Sequence, residues 1–127
     1  MKVQIQQQEL RFRIDEAELA VLLAGGEVAN ATSFGSGSGV IQRLGVHADA
    51  SPSFETVPGE WRLLLPESDL RAHVRRLPCK DALAFELACE GGVTLIVRFD
   101  VDVRDSLQIR RPRLPGAVLD QVRGERD

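Results

Sequence analysis

The sequence predicts a strand-dominated α+β domain made of a duplicated β-β-α-β-β unit, its strands forming a curved antiparallel sheet or a partly open barrel with two short helices. Three observations carry that reading. One cadence occurs twice: Leu10-Arg11-Phe12-Arg13-Ile14-Asp15-Glu16-Ala17-Glu18-Leu19 aligns without a gap against Trp61-Arg62-Leu63-Leu64-Leu65-Pro66-Glu67-Ser68-Asp69-Leu70. Each copy is an alternating apolar run followed by an acidic helix start. Period-2 alternation recurs along most of the chain, which is the mark of half-buried strands. Glycine and proline separate the runs at hairpin spacing. Closing the strands on themselves would protect their edges. An open sheet with both helices on one face is the competing arrangement.

Met1, Val3 and Ile5 alternate with polar residues, as do Leu10, Phe12 and Ile14, so a turn at Gln7-Gln8 pairs Ile5 with Leu10 and Val3 with Phe12 on one face. Asp15 is placed to cap a helix over residues 16–24, with Glu18 three residues on completing a capping box, and Gly25-Gly26 ends it. Residues 27–34 read as a third strand. The run Gly35-Ser36-Gly37-Ser38-Gly39 is a flexible connection into a fourth strand over 40–47. The seam between the units, 1–50 and 51–103, falls near Ala48 to Pro52. The second unit repeats the plan: a strand from Phe54 to Val57, a Pro58-Gly59 turn, a strand from Trp61 to Leu65, and a short helix opened by Pro66, where a missing N–H is tolerated. Pro78 lies beyond that helix. In the last hairpin, Leu83, Phe85, Leu87 and Cys89 share a face, and so do Val93, Leu95, Val97, Phe99, Val101 and Val103. Opposed residues must point the same way, so Glu90-Gly91-Gly92 is the connection, and Cys89 is expected in the core. The single domain is expected to span 1–105, with 106–127 a loosely ordered tail.

At 127 residues the chain suits one domain that needs no metal or disulfide staple. Its 43% hydrophobic and 28% charged content is that of a soluble globular protein, and a formal net charge of -3 gives no general attraction to nucleic acid or membrane. No apolar run reaches the roughly 20 residues of a membrane span, and the first residues alternate where a signal peptide would be apolar, so a cytoplasmic location is expected. Asn30-Ala31-Thr32 is then a chance match to a glycosylation triplet. Cys79 and Cys89 have no CxxC spacing, which argues for reduced thiols.

The chemistry-bearing patterns are sparse. The GSGSG run lacks the Lys-Ser/Thr and following helix of a phosphate loop, and Gly37 stands where a nucleophile elbow needs serine. His73 and Cys79 lie near one helix end, but no orienting third group accompanies them, and a solvated histidine beside a small thiol is the simpler account. His47 beside Asp49 is a common surface arrangement, and two isolated histidines make no metal site. Arg98, Asp100, Asp102 and Arg104 alternate along the final strand as a charged face whose arginines offset its carboxylates. Arg11, Arg13 and Arg62 are the candidate ligand-binding residues. They lie on the polar faces of matching strands, and if those faces converge they can fork around a phosphate or carboxylate. The tail run Ile109-Arg110-Arg111-Pro112-Arg113 lacks the aromatics of a nucleic-acid site.

Met1-Lys2-Val3-Gln4-Ile5, Leu10-Arg11-Phe12-Arg13-Ile14, Glu18-Leu19, Gly26-Glu27-Val28 and Ser33-Phe34-Gly35 resemble a domain-of-unknown-function family of small bacterial proteins about this size. The resemblance covers the first half and fades through the second. Family members tend to carry a Gly-Asn-like turn where this chain has Gln7-Gln8. It implies a compact, strand-rich bacterial protein and brings no activity or site residues. Triphosphate tunnel enzymes also have duplicated barrels, but their Glu-x-Glu-x-Lys pattern is replaced here by Lys2, Gln4 and Gln6, so that activity is rejected. The expected function is a non-catalytic binding or protein-interaction module, without catalytic residue, cofactor, metal or nucleic-acid partner. The alternative is a small enzyme or binder acting on an anionic ligand through Arg11, Arg13 and Arg62.

Overall fold

A computed structural model describes residues 1–103; residue 104 and those after it, including the expected tail, lie outside the described residues. Eight strands and two α-helices follow one another as β1 (Lys2–Gln6), β2 (Glu9–Ile14), α1 (Glu16–Leu23), β3 (Val28–Gly35), β4 (Ser38–His47), β5 (Ser53–Val57), β6 (Glu60–Pro66), α2 (Glu67–Arg75), β7 (Leu83–Ala88) and β8 (Thr94–Val101).

The strands form two four-stranded sheets, ordered β1-β2-β8-β7 and β3-β4-β6-β5. The strand-dominated α+β class with two helices is as expected, and the expectation of a single antiparallel sheet is corrected. The hairpins are antiparallel, but β2 lies parallel to β8 and β4 parallel to β6, and no closed barrel forms. Alternation tells which side chains face inward and leaves open which strand edges meet. Matched apolar rows decide the latter. Leu10, Phe12 and Ile14 stand beside Val97, Phe99 and Val101, while Leu44 and Val46 stand beside Leu63 and Leu65. Each sheet therefore takes one hairpin from each half of the chain, and each helix carries the chain from one sheet to the other.

The hairpin registers follow the alternation closely. Val3 opposes Phe12 and Ile5 opposes Leu10, and in the other sheet Phe54 opposes Leu63. Leu87 opposes Leu95 and Phe85 opposes Val97 across the three-residue Glu90–Gly92 turn, where the Cys89 N–H donates to the Val93 carbonyl at 2.7 Å. The expected flexible GSGSG connection is tighter than its composition suggests. β3 and β4 extend into it and leave only Ser36 and Gly37 as the turn, both with left-handed backbone at φ 54° and 77°. Such φ values are what a two-residue hairpin turn requires.

Helix α1 begins as expected: the Glu18 N–H donates to Asp15 Oδ1 at 2.8 Å, and the Asp15 N–H donates to Glu18 Oε1 at 3.0 Å. Helix α2 starts at Pro66, which caps without a side-chain hydrogen bond. One contiguous core unites both sheets and both helices through Leu10, Phe12, Ile14, Leu19, Leu22, Val28, Leu44, Leu63, Leu65, Leu70, Val97 and Phe99. Burying a side chain of this kind stabilises a fold by about 1.5–3 kcal/mol. Two expectations fail at the margins of this core. Cys89 is exposed: β7 ends at Ala88, one residue before it. His73 is not solvated: it is buried in the core among these apolar residues. No helix among the described residues is long and apolar enough to cross a membrane.

Candidate functional site

Strand alternation sends Arg11 and Arg13 of β2 to the outer face of the first sheet and Arg62 of β6 to the second sheet, so the fold does not gather the three into one pocket. Arg11 Nη1 donates to Asp100 Oδ2 at 2.8 Å, across the β2/β8 pair. Arg62 Nε lies 3.2 Å from Glu27 Oε2, but its N–H is not aimed at that oxygen, so the contact is an ion pair without a hydrogen bond. Arg13 is exposed, with Lys2 as its neighbour on β1 and Asp100 as its neighbour on β8.

The same outer faces carry a second pair of contacts. Arg98 Nε donates to Glu9 Oε2 at 2.8 Å, and Arg43 Nε donates to Glu60 Oε2 at 2.8 Å. Glu9 and Glu60 each open the second strand of a hairpin, and Arg98 and Arg43 each lie on the parallel neighbour. Glu60, by hydrogen bond and then by charge, raises the Arg43 pKa further from neutrality. Arg43 also reaches Glu27 at 3.4 Å. Four arginines of the central strands are thus matched to carboxylates of the chain itself. A phosphate approaching them must displace an existing partner, which reduces the net gain of binding.

A depression of about 230 Å³ at the β1/β2 end is lined by Gln4, Ile5, Gln6, Glu9 and Arg11. Glu9 and Arg11 in it are already engaged as above. His47 Nε2 is 2.8 Å from the Ser51 carbonyl oxygen, and its Nδ1 is 3.7 Å from Asp49, a local arrangement at the end of β4. Cys79 is exposed and His73 is buried, so the geometry does not present them as a nucleophile and its base. No group of three or more His, Cys, Asp or Glu able to hold a metal ion occurs among the described residues.

The most open feature is one that the charged motifs do not mark. β3 is an edge strand of eight residues, Val-Ala-Asn-Ala-Thr-Ser-Phe-Gly, without a charge or a proline. Residues 31–35 are all exposed, and Phe34 has 68% of its surface in solvent. Ile5, Val57 and Val93 are also exposed near hairpin turns, at 60%, 60% and 41%. A sequence signal existed: no charged residue occurs between Glu27 and Arg43, the interval that supplies β3. Comparison with protein-family models, with curated proteins and with solved structures finds no match.

Proposed function

We propose that this chain is a non-catalytic protein-interaction module whose binding surface is the edge of β3, unpaired among the described residues, and the adjoining Phe34 side chain. The observation that carries the reading is an uncharged, eight-residue edge strand ending beside a phenylalanine that is 68% exposed. Proteins ordinarily blunt such an edge with lysine, proline or an inward charge, because its unpaired backbone groups accept another strand. Here four arginines of the central strands face carboxylates of the chain itself, while the uncharged edge of β3 has no such partner among the described residues. Photo-crosslinking in cells tests this. A photoreactive residue placed at position 31 or 34 should yield a protein adduct, and one at position 86 on β7 should not. Equal adducts at all three positions, or none, would remove the reading.

A second reading, anion binding, rests on Lys2 and Arg13 standing as cross-strand neighbours without an ion pair within 4.0 Å among the described residues. Phosphate and acetate titrations of the wild type and of an Arg13→Ala variant test it, and an unchanged response removes it.

We infer further that the two halves derive from one duplicated β-β-α-β-β unit. Support comes from the matched order of elements, from the paired Glu9–Arg98 and Glu60–Arg43 contacts, and from two equivalent backbone bonds at 2.8 Å, Ile96 N–H to the Gln8 carbonyl and Ile41 N–H to the Gly59 carbonyl. An experimental structure in which the halves fail to superpose would overturn the inference.

A further inference from the structure

We propose that the partner of β3 is β3 of a second copy of this chain, paired antiparallel about a two-fold axis at Ala31 to join two four-stranded sheets into one. The proposal rests on the interaction-module reading and names its partner.

The charge pattern of the edges points to self-pairing at this strand. Among the described residues, four strands are at sheet edges: β1, β7, β3 and β5. Three of them carry a charge, Lys2 on β1, Glu55 on β5 and Glu86 on β7. In two-fold pairing of identical strands, a charge near the axis, as Glu55 and Glu86 are near the middle of β5 and β7, comes close to its own copy, and such like-charge neighbours are unfavourable. β3 alone brings no charge to the join. It is also the longest of the four, eight residues against five, five and six. Its register irregularity lies between Ser33 and Gly35, next to the turn, so the stretch from Val28 to Ser33 keeps a regular edge.

The axis at Ala31 sets alanine against alanine at the centre. It sets Ser33 against Ala29 of the second copy and leaves Phe34, the most exposed apolar side chain of the described residues, at the end of that regular join. The association is isologous and closed: each copy has one β3, so pairing consumes the open edge and leaves only the charge-bearing β5 edges at the ends of the joined sheet. A heterologous contact with a different edge would leave one β3 open.

Light scattering coupled to size exclusion tests the assembly with the full chain, across a roughly hundredfold dilution series. The expected result is twice the 14.0 kDa chain mass at high concentration, returning toward the single-chain mass on dilution. Ala31→Lys places a cation on an exposed outer-face position that the fold itself does not use, and it should weaken dimerisation by about tenfold or more. Mixing Ala31→Lys with Ala31→Asp should restore the dimer as a mixed species. Ala84→Lys, on the outer face of β7, should dimerise like the wild type. Circular dichroism confirms that each variant is folded. A wild type that stays single at every concentration, an Ala31→Lys variant that dimerises normally, or a mixture that fails to recover would each overturn the proposal. If the wild type stays single while position 34 still crosslinks to a different protein, self-pairing falls and the interaction-module reading survives. If neither occurs, both fall.

Discussion

His73 occupies in α2 the place that Leu22 occupies in α1: each follows the buried leucine of its helix, Leu70 or Leu19, by three residues, and each is 1% exposed. The same step of a helix thus presents a hydrocarbon to the core in one half and an imidazole in the other. His73 packs edge-on toward Phe99, with ring centroids 6.2 Å apart, and its Nδ1 is buried without a hydrogen-bond partner among the described residues. A buried polar atom left unpaired costs about 1–3 kcal/mol.

His73 should make stability fall on mild acidification. Burial lowers its pKa from the ordinary 6.5, Arg76 lowers it further, and Asp100 opposes them. The unfolded chain therefore binds the proton at a higher pH than the folded one. Stability is intact above the unfolded value and declines as pH drops from about 6.5 toward the lowered folded value. Urea unfolding between pH 8 and pH 5 should show this decline, with the carboxylate contribution following at lower pH. His73→Leu should remove the first part of the slope and add about 1 kcal/mol at neutral pH. A variant with the wild-type pH profile would refute the assignment.

Glu27 should matter more than an ordinary surface carboxylate. It lies between Arg43 and Arg62, with its Cγ 3.8 Å from where a Cβ on Gly45 would stand, so it fills space that a side chain on β4 would otherwise take. Glu27→Ala leaves the buried Arg62 Nε without its only carboxylate in the described residues. Glu67 pairs with Arg71 on the exposed face of α2, where such pairs contribute about 0.3–0.5 kcal/mol. Thermal melts should therefore show a larger loss for Glu27→Ala than for Glu67→Ala, and equal losses would remove the distinction.

The elements were legible where local rules act alone. Gln7-Gln8 and Glu90–Gly92 follow from the demand that paired residues share a face, and Asp15 with Glu18 follows from capping geometry. What local rules leave open is which hairpins share a sheet. The β2/β8 and β4/β6 pairs join distant parts of the chain, and their apolar rows are compatible with several neighbours. Arg11 and Arg62 were visible as matching positions, but their carboxylates were not, because Asp100 and Glu27 come from other elements. The β3 edge drew no attention for the reason that makes it open: it holds no charged or catalytic residue.

Cys89 and Cys79 should both react with a thiol reagent in the folded protein. Both are exposed, Cys79 Sγ 3.4 Å from the Asp81 carbonyl oxygen and Cys89 Sγ 3.8 Å from that of Leu87. Such weak contacts do not shield a sulfur from solvent. Titration with a chromogenic disulfide in native buffer should release two equivalents without a denaturant-dependent phase. A Cys89 thiol that reacts only after unfolding would return it to the core.

Gly39→Ala should damage the β3/β4 hairpin selectively. A Cβ at Gly39 would stand 2.4 Å from the Thr32 carbonyl oxygen and 3.3 Å from the Ser33 Cα, and both are backbone atoms that cannot rotate away. The strand pair must separate there, beside the irregularity between Ser33 and Gly35. Forcing two backbones apart belongs to the substitutions that cost about 1–3 kcal/mol. Hydrogen exchange locates the damage: amides of β3 and the first half of β4 should exchange faster, while those of β2 and β8 in the other sheet keep their protection. Uniform acceleration through both sheets would mean that the hairpin is not an independently yielding part of the fold, and unchanged exchange would place Gly39 elsewhere than against Thr32.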